Sequence, residues 1–225
     1  MKKRIFMTGA SGCIGHYIAE SLIQETDHDL YLLVRDPSKL KFDWQARDGI
    51  KIIPGDLQNI EDFKELLGEE INVAILAATA WGGREISYEI NVNKTISLIN
   101  LLNPELCEQV IYFSTASILD RNNQPLPAAE KFGTDYISTK YACYTELKKQ
   151  PLSPKITTVF PTLVFGGEKN KPYSHISGGL PEVFNWINLI RWLKADGSFH
   201  FIHAKDIATI ITYLVNHPPE IPQDL

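Results

Sequence analysis

Thr8-Gly9-Ala10-Ser11-Gly12-Cys13-Ile14-Gly15 is the stretch on which the reading of this chain turns. Ahead of it, residues 5–7 (IFM) form a short apolar run after the basic start Lys2-Lys3-Arg4, which reads as a buried strand. Behind it, residues 13–24 become helical in pattern, with Ile14, Ile18, Leu22 and Ile23 on one side. Glycine lets a backbone turn sharply and approach a ligand closely. The first turn of a helix offers unpaired N–H groups and the positive end of a dipole, which suit a pyrophosphate. A G-x-x-G-x-x-G triplet between a first strand and a first helix is therefore expected to hold a dinucleotide, with Gly9, Ser11, Gly12, Cys13, Ile14 and Gly15 around it. A purely structural turn is the alternative.

Working outward, further apolar runs at residues 30–34 (LYLLV), 50–53 (IKII), 72–77 (NVAILA), 109–113 (QVIYF) and 155–160 (KITTVF) alternate with helical patterns near 60–67, 87–102 and 136–149. The runs are near-continuously apolar rather than alternating. Strands of that kind belong to a parallel sheet with helices on both faces, so the expected fold is a doubly wound α/β sheet. Beyond Pro161 the pattern breaks into a loop (166–179), an aromatic-rich helix (181–194), a short strand near 199–202, a helix over 204–215 and an exposed tail from His217-Pro218-Pro219. The expected division is a nucleotide-binding domain over 1–165 and a small substrate-region segment over 166–225, interleaved with the last elements of the first.

Composition narrows the class. The chain has 225 residues, 44% hydrophobic and 22% charged, which is enough for an ordinary core. A net charge of −5 argues against a nucleic-acid partner. Cys13, Cys107 and Cys143 are odd in number and form no Cys-x-x-Cys pair, so neither a disulfide framework nor a zinc site is expected, and a reducing compartment fits. No His/Cys/Glu cluster points to a metal. No run is long enough to span a bilayer, and the cytoplasm is the expected location.

The TGASGCIG turn resembles the cofactor loop of the extended short-chain dehydrogenase/reductase superfamily, also called the NAD-dependent epimerase/dehydratase family. Other segments resemble the family's motifs in order: Asp56-Leu57 its adenine-side acid, Ala77-Ala78 its nicotinamide-side alanines, Asn91 its central-helix motif, residues 161–166 (PTLVFG) its Pro-x-x-Val-Tyr-Gly turn, and His203–Asp206 its His-x-x-Asp. The resemblance covers residues 1 to about 215. It implies a Rossmann-type fold, a nicotinamide cofactor, Pro161 beside that cofactor, and a homodimer paired through helices near 87–102 and 136–149. The chain is shorter than extended members usually are; either it is a compact member or part of a longer chain is absent.

After the second strand the chain reads Val34-Arg35-Asp36-Pro37-Ser38-Lys39. An acid gripping the ribose 2′-hydroxyl of NAD is expected near here. Arg35 takes the first position, where it can pair bidentately with a 2′-phosphate, and Lys39 adds a charge. NADP is therefore expected, and Asp36 keeps NAD as the alternative.

Tyr136-Ile137-Ser138-Thr139-Lys140 places a phenol and an ammonium at i and i+4 on one helix face. A free tyrosine has a pKa of about 10. A neighbouring lysine, together with a nicotinamide charge, favours the phenolate, and the tyrosine can then act as general acid or base. Phe113-Ser114-Thr115-Ala116-Ser117-Ile118 resembles the family's hydroxyl-bearing segment and puts that hydroxyl on Thr115, with Ser114 as the neighbour that displaces it if the register is off by one. Ala116-Ser117 stands where 4,6-dehydratases carry Asp-Glu, so that dehydratase activity is disfavoured, and Leu119-Asp120 for the family's Tyr-Gly and Phe160 for its arginine before Pro161 point to a substrate unlike a typical nucleotide sugar.

Trp81, Gly82, Gly83, Phe165, Tyr173, His175, Trp186 and Trp192 are the available substrate lining, aromatic and weakly charged, which suits a small apolar or aromatic carbonyl compound, although helix core or an oligomer face is the favoured reading of Trp186 and Trp192. His16 and His175 have no assigned role. The leading expectation is an NADP(H)-dependent oxidoreductase. The alternatives are an epimerase that retains NAD and a non-catalytic NAD(P)-binding sensor or assembly factor.

Overall fold

The computed structural model describes residues 2–179, 192 and 199–225. Strands β1 (Arg4–Thr8), β2 (Asp29–Val34), β3 (Ile50–Pro54), β4 (Val73–Leu76), β5 (Gln109–Phe113) and β6 (Ile156–Val159) are joined by a seventh, β9 (Gln223–Asp224), in the order β3-β2-β1-β4-β5-β6-β9, every pair parallel. This is the doubly wound, Rossmann-type order, in which the strand sequence reverses between β1 and β4. A separate parallel pair joins β7 (Leu163–Phe165) to β8 (Phe201–His203).

Alternate side chains along each strand serve opposite cores, which is why the runs are apolar throughout. Ile5, Met7, Leu30, Leu32, Val34, Val73, Ile75, Ile111 and Phe113 pack against α1 (Cys13–Glu25) and the last helix, α7 (Ala204–Asn216). Phe6, Tyr31, Leu33, Ala74, Leu76, Val110 and Tyr112 pack on the other face against α2 (Lys64–Glu69), α4 (Thr95–Leu101) and α6 (Asp135–Leu147). Residues 204–216 thus close the same core that residues 5–34 open, and a buried Ser21–Thr212 hydrogen bond of 2.8 Å joins the two helices.

Several elements differ from the sequence expectation. The segment expected as one helix over 87–102 is α3 (Arg84–Tyr88), a π-helical turn (Glu89–Lys94) and α4. The helix expected over 60–67 begins as a 3-10 turn (Leu57–Phe63) capped by Asp56. A short helix α5 (Pro127–Phe132) was not anticipated. The tail is exposed as expected, but its end also pairs as edge strand β9, held by Leu225 N to Thr158 O (2.8 Å), Phe160 N to Leu225 O (2.7 Å) and Tyr144 Oη to Asp224 (2.6 Å). Main-chain pairing of two residues leaves no hydrophobic period to read. The expected helix over 181–194, with Trp186, lies outside the described residues apart from Trp192. Among the described residues no helix is long and apolar enough to cross a membrane.

Candidate functional site

A cavity of about 1000 Å³ opens at the carboxyl ends of the strands, over the β1/β4 reversal. Parallel α/β sheets place their ligands there. Gly9, Ser11, Gly12, Cys13, Ile14, Gly15, Arg35, Asp56, Leu57, Ala77, Ala78, Thr115, Tyr136, Lys140 and Pro161 all line it, so the residues expected at the cofactor and at the reacting centre come together in one place.

The three glycines of the turn do different jobs. Gly9 has φ +81°, and a Cβ there would sit 2.7 Å from the main chain of Ala77 and Ala78, so it lets the turn pass against the end of β4. A Cβ on Gly15 would lie 2.0 Å from the Gly9 carbonyl oxygen, so it lets α1 start directly against the turn. Gly12 is different: a Cβ would meet one protein atom, Gly9 O at 3.4 Å. The protein itself tolerates a side chain at Gly12, and what the bare backbone admits is whatever fills the cavity. Gly12 is also the N-cap of α1, with no side-chain cap and no acidic residue in the first turn, so the helix N–H groups are left for an anion. Gly15→Ala is therefore expected to cost roughly 1–3 kcal/mol by overpacking. Gly12→Ala should melt close to the parent but bind dinucleotide more weakly. Thermal melts paired with nucleotide titration separate the two; equal losses of stability would overturn the distinction.

At the β2 and β3 ends, Arg35 reaches the cavity and is held by one long ion pair to Asp56 (3.9 Å). Asp36 is not in the lining. Its carboxylate accepts from Ser38 N (3.0 Å) and Ser38 Oγ (2.7 Å), capping the 3-10 turn Pro37–Lys39. Lys39 is outside the lining as well.

On the opposite wall, α6 presents Tyr136 and Lys140 one turn apart, and the 3-10 turn after β5 presents Thr115. Thr115 Oγ1 donates to Ser117 Oγ (3.3 Å) and accepts from Ser117 N (3.3 Å). Burial pushes the Tyr136 phenol above its ordinary value, and the neighbouring Thr115 hydroxyl pulls it back less strongly. In the protein by itself the downward pull expected from Lys140 does not offset that burial. Lys140 is 3% exposed, and burial lowers its ammonium to about 8. Its Nζ donates to Phe113 O (2.6 Å) and lies 5.0 Å from the Tyr112 ring centre and 5.9 Å from that of Tyr136. That leaves two ammonium protons for the cavity. The buried Ser114 hydroxyl, also in the lining, has no hydrogen-bond partner among the described residues. Burial raises the Cys13 thiol to about 11, which keeps it protonated at neutral pH.

Asn91, on the π-helical turn, clamps the floor. Its Oδ1 accepts from Ala80 N (2.7 Å) and Thr79 Oγ1 (3.2 Å), while Nδ2 donates to Ala80 O (3.1 Å) and Thr139 Oγ1 (3.2 Å). It ties the segment after β4 to the helix residue beside Lys140. The Trp81 ring stacks on that of Tyr136 at 4.3 Å and 12°, with His175 4.9 Å away. Ile86, Ile176 and Phe199 extend this wall; no sequence periodicity marked them. Phe165 stacks instead on Phe201, Tyr173 is exposed, and neither these nor Gly82, Gly83 and Trp192 line the cavity. His203 caps α7 through Lys205 N (3.1 Å) rather than facing the cavity.

The glycine cradle at Gly12, the uncapped helix start, the two spare Lys140 protons and the orphaned Ser114 hydroxyl fit a nicotinamide dinucleotide. A model of the NAD dependent epimerase/dehydratase family matches residues 5–224. No curated protein sequence matches the chain. Among solved structures, the terminal R domain of the myxalamid PKS-NRPS biosynthetic pathway superposes with a TM-score of 0.81 at 20% identity, over 99% of this chain and 65% of that one. UDP-N-acetylglucosamine 4-epimerase from Methanobrevibacter ruminantium M1, in complex with UDP-N-acetylmuramic acid, gives 0.74 at 18%, over 100% and 77%. The yeast methylglyoxal/isovaleraldehyde reductase complexed with NADPH gives 0.68 at 16%, over 99% and 77%. The chain thus spans under two thirds of the length of the first of these, and at such identities the likeness is one of fold.

Proposed function

Since the chain belongs to the NAD-dependent epimerase/dehydratase family, we propose that it is an NADPH-dependent oxidoreductase acting on a small apolar or aromatic carbonyl compound. The observation that carries this reading is the convergence of Thr115, Tyr136 and Lys140 on one wall of the cavity whose other wall is the glycine turn. When bound, the nicotinamide supplies or accepts a hydride. Tyr136 moves the proton: its phenol donates to the substrate oxygen in reduction and takes the proton back in oxidation. Thr115 orients the same oxygen with a hydrogen bond. Lys140 holds positive charge beneath the phenol and offers its spare N–H groups to the cofactor's ribose.

Two features support the narrower parts. Arg35 faces the cavity, while Asp36, the acid that NAD would use, is turned away to cap Ser38. An arginine held by one long exposed ion pair loses little on meeting a phosphate. Among the described residues of the lining, Arg35, Asp56 and Lys140 are the charged ones, aside from histidines. The wall beyond Tyr136 is Trp81, Ile86, Ile176 and Phe199, and it favours a flat or apolar group beside the carbonyl.

Calorimetric titration with NADPH and NADH, after checking for carried-over nucleotide, tests the reading. NADPH should bind more tightly, and Arg35→Ala should weaken it by about tenfold or more with little change for NADH. Equal affinities would end the NADPH assignment, and tightly retained NAD would favour an epimerase.

A further inference from the structure

His16 joins two parts of the molecule that the fold otherwise leaves separate. Its ring is wholly buried. Nδ1 lies 3.0 Å from Gly12 O, and Nε2 lies 3.2 Å from Lys41 N. A carbonyl can only accept and a backbone amide can only donate, so one neutral tautomer, with hydrogen on Nδ1, serves both. Phe42 closes the pocket edge-on at 5.2 Å. Burial lowers the imidazole's pKa, in keeping with that neutral ring.

Gly12 belongs to the phosphate turn, and Lys41 to the connector that leaves β2 at Arg35. Among the described residues, His16 makes the one hydrogen-bonded link between the turn at 9–12 and the connector at 35–42. The connector then carries position back toward Arg35. Leu40 N donates to Pro37 O (3.0 Å), Lys39 N to Asp36 O (3.2 Å), and the Asp36 carboxylate holds Ser38. Leu40 and Phe42 are anchored in the core.

We propose that His16 is a positioning residue for dinucleotide choice: by tying Lys41 to the phosphate turn, it sets where Arg35 stands relative to the bound pyrophosphate. This rests on the reading of Arg35 as the 2′-phosphate partner. The tie to Lys41 is the part that matters, so variants can divide the ring's two roles. His16→Asn keeps a donor near Gly12 O but falls short of Lys41, whereas His16→Gln carries an acceptor out to Lys41. Lys41→Pro removes the amide donor and leaves the ring untouched, which covers the case in which His16→Asn does not fold.

Dissociation constants for NADPH and NADH are to be measured on the parent, His16→Asn, His16→Gln, Lys41→Pro and Arg35→Ala, with melts to verify folding. His16→Asn or Lys41→Pro should lower the preference for NADPH by about tenfold, at nearly constant NADH affinity, and His16→Gln should restore most of it. A merely structural role would weaken both nucleotides together, and that result overturns the proposal. So does a preference that Arg35→Ala removes but His16→Asn and Lys41→Pro leave intact. A parent protein with no preference overturns the Arg35 reading and this inference with it.

Discussion

Replacing Tyr136 with phenylalanine should lower turnover by about 10²–10⁴-fold, the range for loss of a positioned general acid, while nucleotide affinity stays within a few-fold. The substitution is sterically mild. The ring that stacks on Trp81 at 4.3 Å and lies over Lys140 is retained, so the wall keeps its shape and only the proton donor is gone. The neighbouring Thr115 Oγ1 keeps its bonds to Ser117 Oγ and from Ser117 N, so no new orphan is created. Because burial raises the phenol above its ordinary value, the unliganded site holds a protonated tyrosine at neutral pH, ready to give a proton to a carbonyl oxygen as reduction requires. Turnover within threefold of the parent, measured by consumption of NADPH with a carbonyl substrate found by screening, would remove Tyr136 from its role. Another group would then have to supply the proton.

Much of the cofactor half of this site is legible in the sequence because its chemistry is main-chain chemistry. A turn that must approach β4 and start a helix at once requires glycine at residues 9 and 15, and no other residue type leaves that trace. The same holds for Tyr136 and Lys140, whose spacing of four is fixed by the helix that carries them. The substrate wall is less legible. Trp81 covers Tyr136 and is followed by a Gly82-Gly83 pair, with Gly83 at φ +80° and neither glycine crowded by neighbours; the sequence marks the freedom but not where the ring comes to rest. His16 looked like one more helix residue, since its partner Lys41 lies in a connector without periodicity. Strand β9 leaves no trace in the sequence, because two residues held by main-chain bonds carry no pattern. Asp36 is the instructive case: from the sequence it competes with Arg35 for the ribose, and a local Asx-type cap on Ser38 settles where its carboxylate goes.

Lys140→Met should make the protein more stable at neutral pH and far less active. The ammonium is buried, and its folded value is about 8 against an ordinary 10.5. Below pH 8 both folded and unfolded chains carry the proton, and the fold bears the full cost of burying the charge. Between about 8 and 10.5 the unfolded chain binds more protons, so the lysine's penalty shrinks and stability rises with pH. A difference of that size corresponds to roughly 3 kcal/mol. Methionine is of similar length and carries no charge, but it gives up the bond to Phe113 O and the contact with the Tyr112 ring, which together offset about 1–2 kcal/mol. The expected net gain at pH 7 is about 1–2 kcal/mol, narrowing as the pH approaches 10. Denaturant melts of parent and variant at both pH values isolate the lysine, because the other titrating groups are common to the two. Turnover should fall by about 10²–10⁴-fold, since the phenol loses the charge beneath it and the ribose loses its donors. A variant less stable than the parent at pH 7 would mean that the ammonium is held by more than one carbonyl and two rings. The lysine would then belong to the scaffold as much as to the chemistry. A gain in stability with the loss of activity would mark Lys140 as a charge the fold tolerates for the sake of the site.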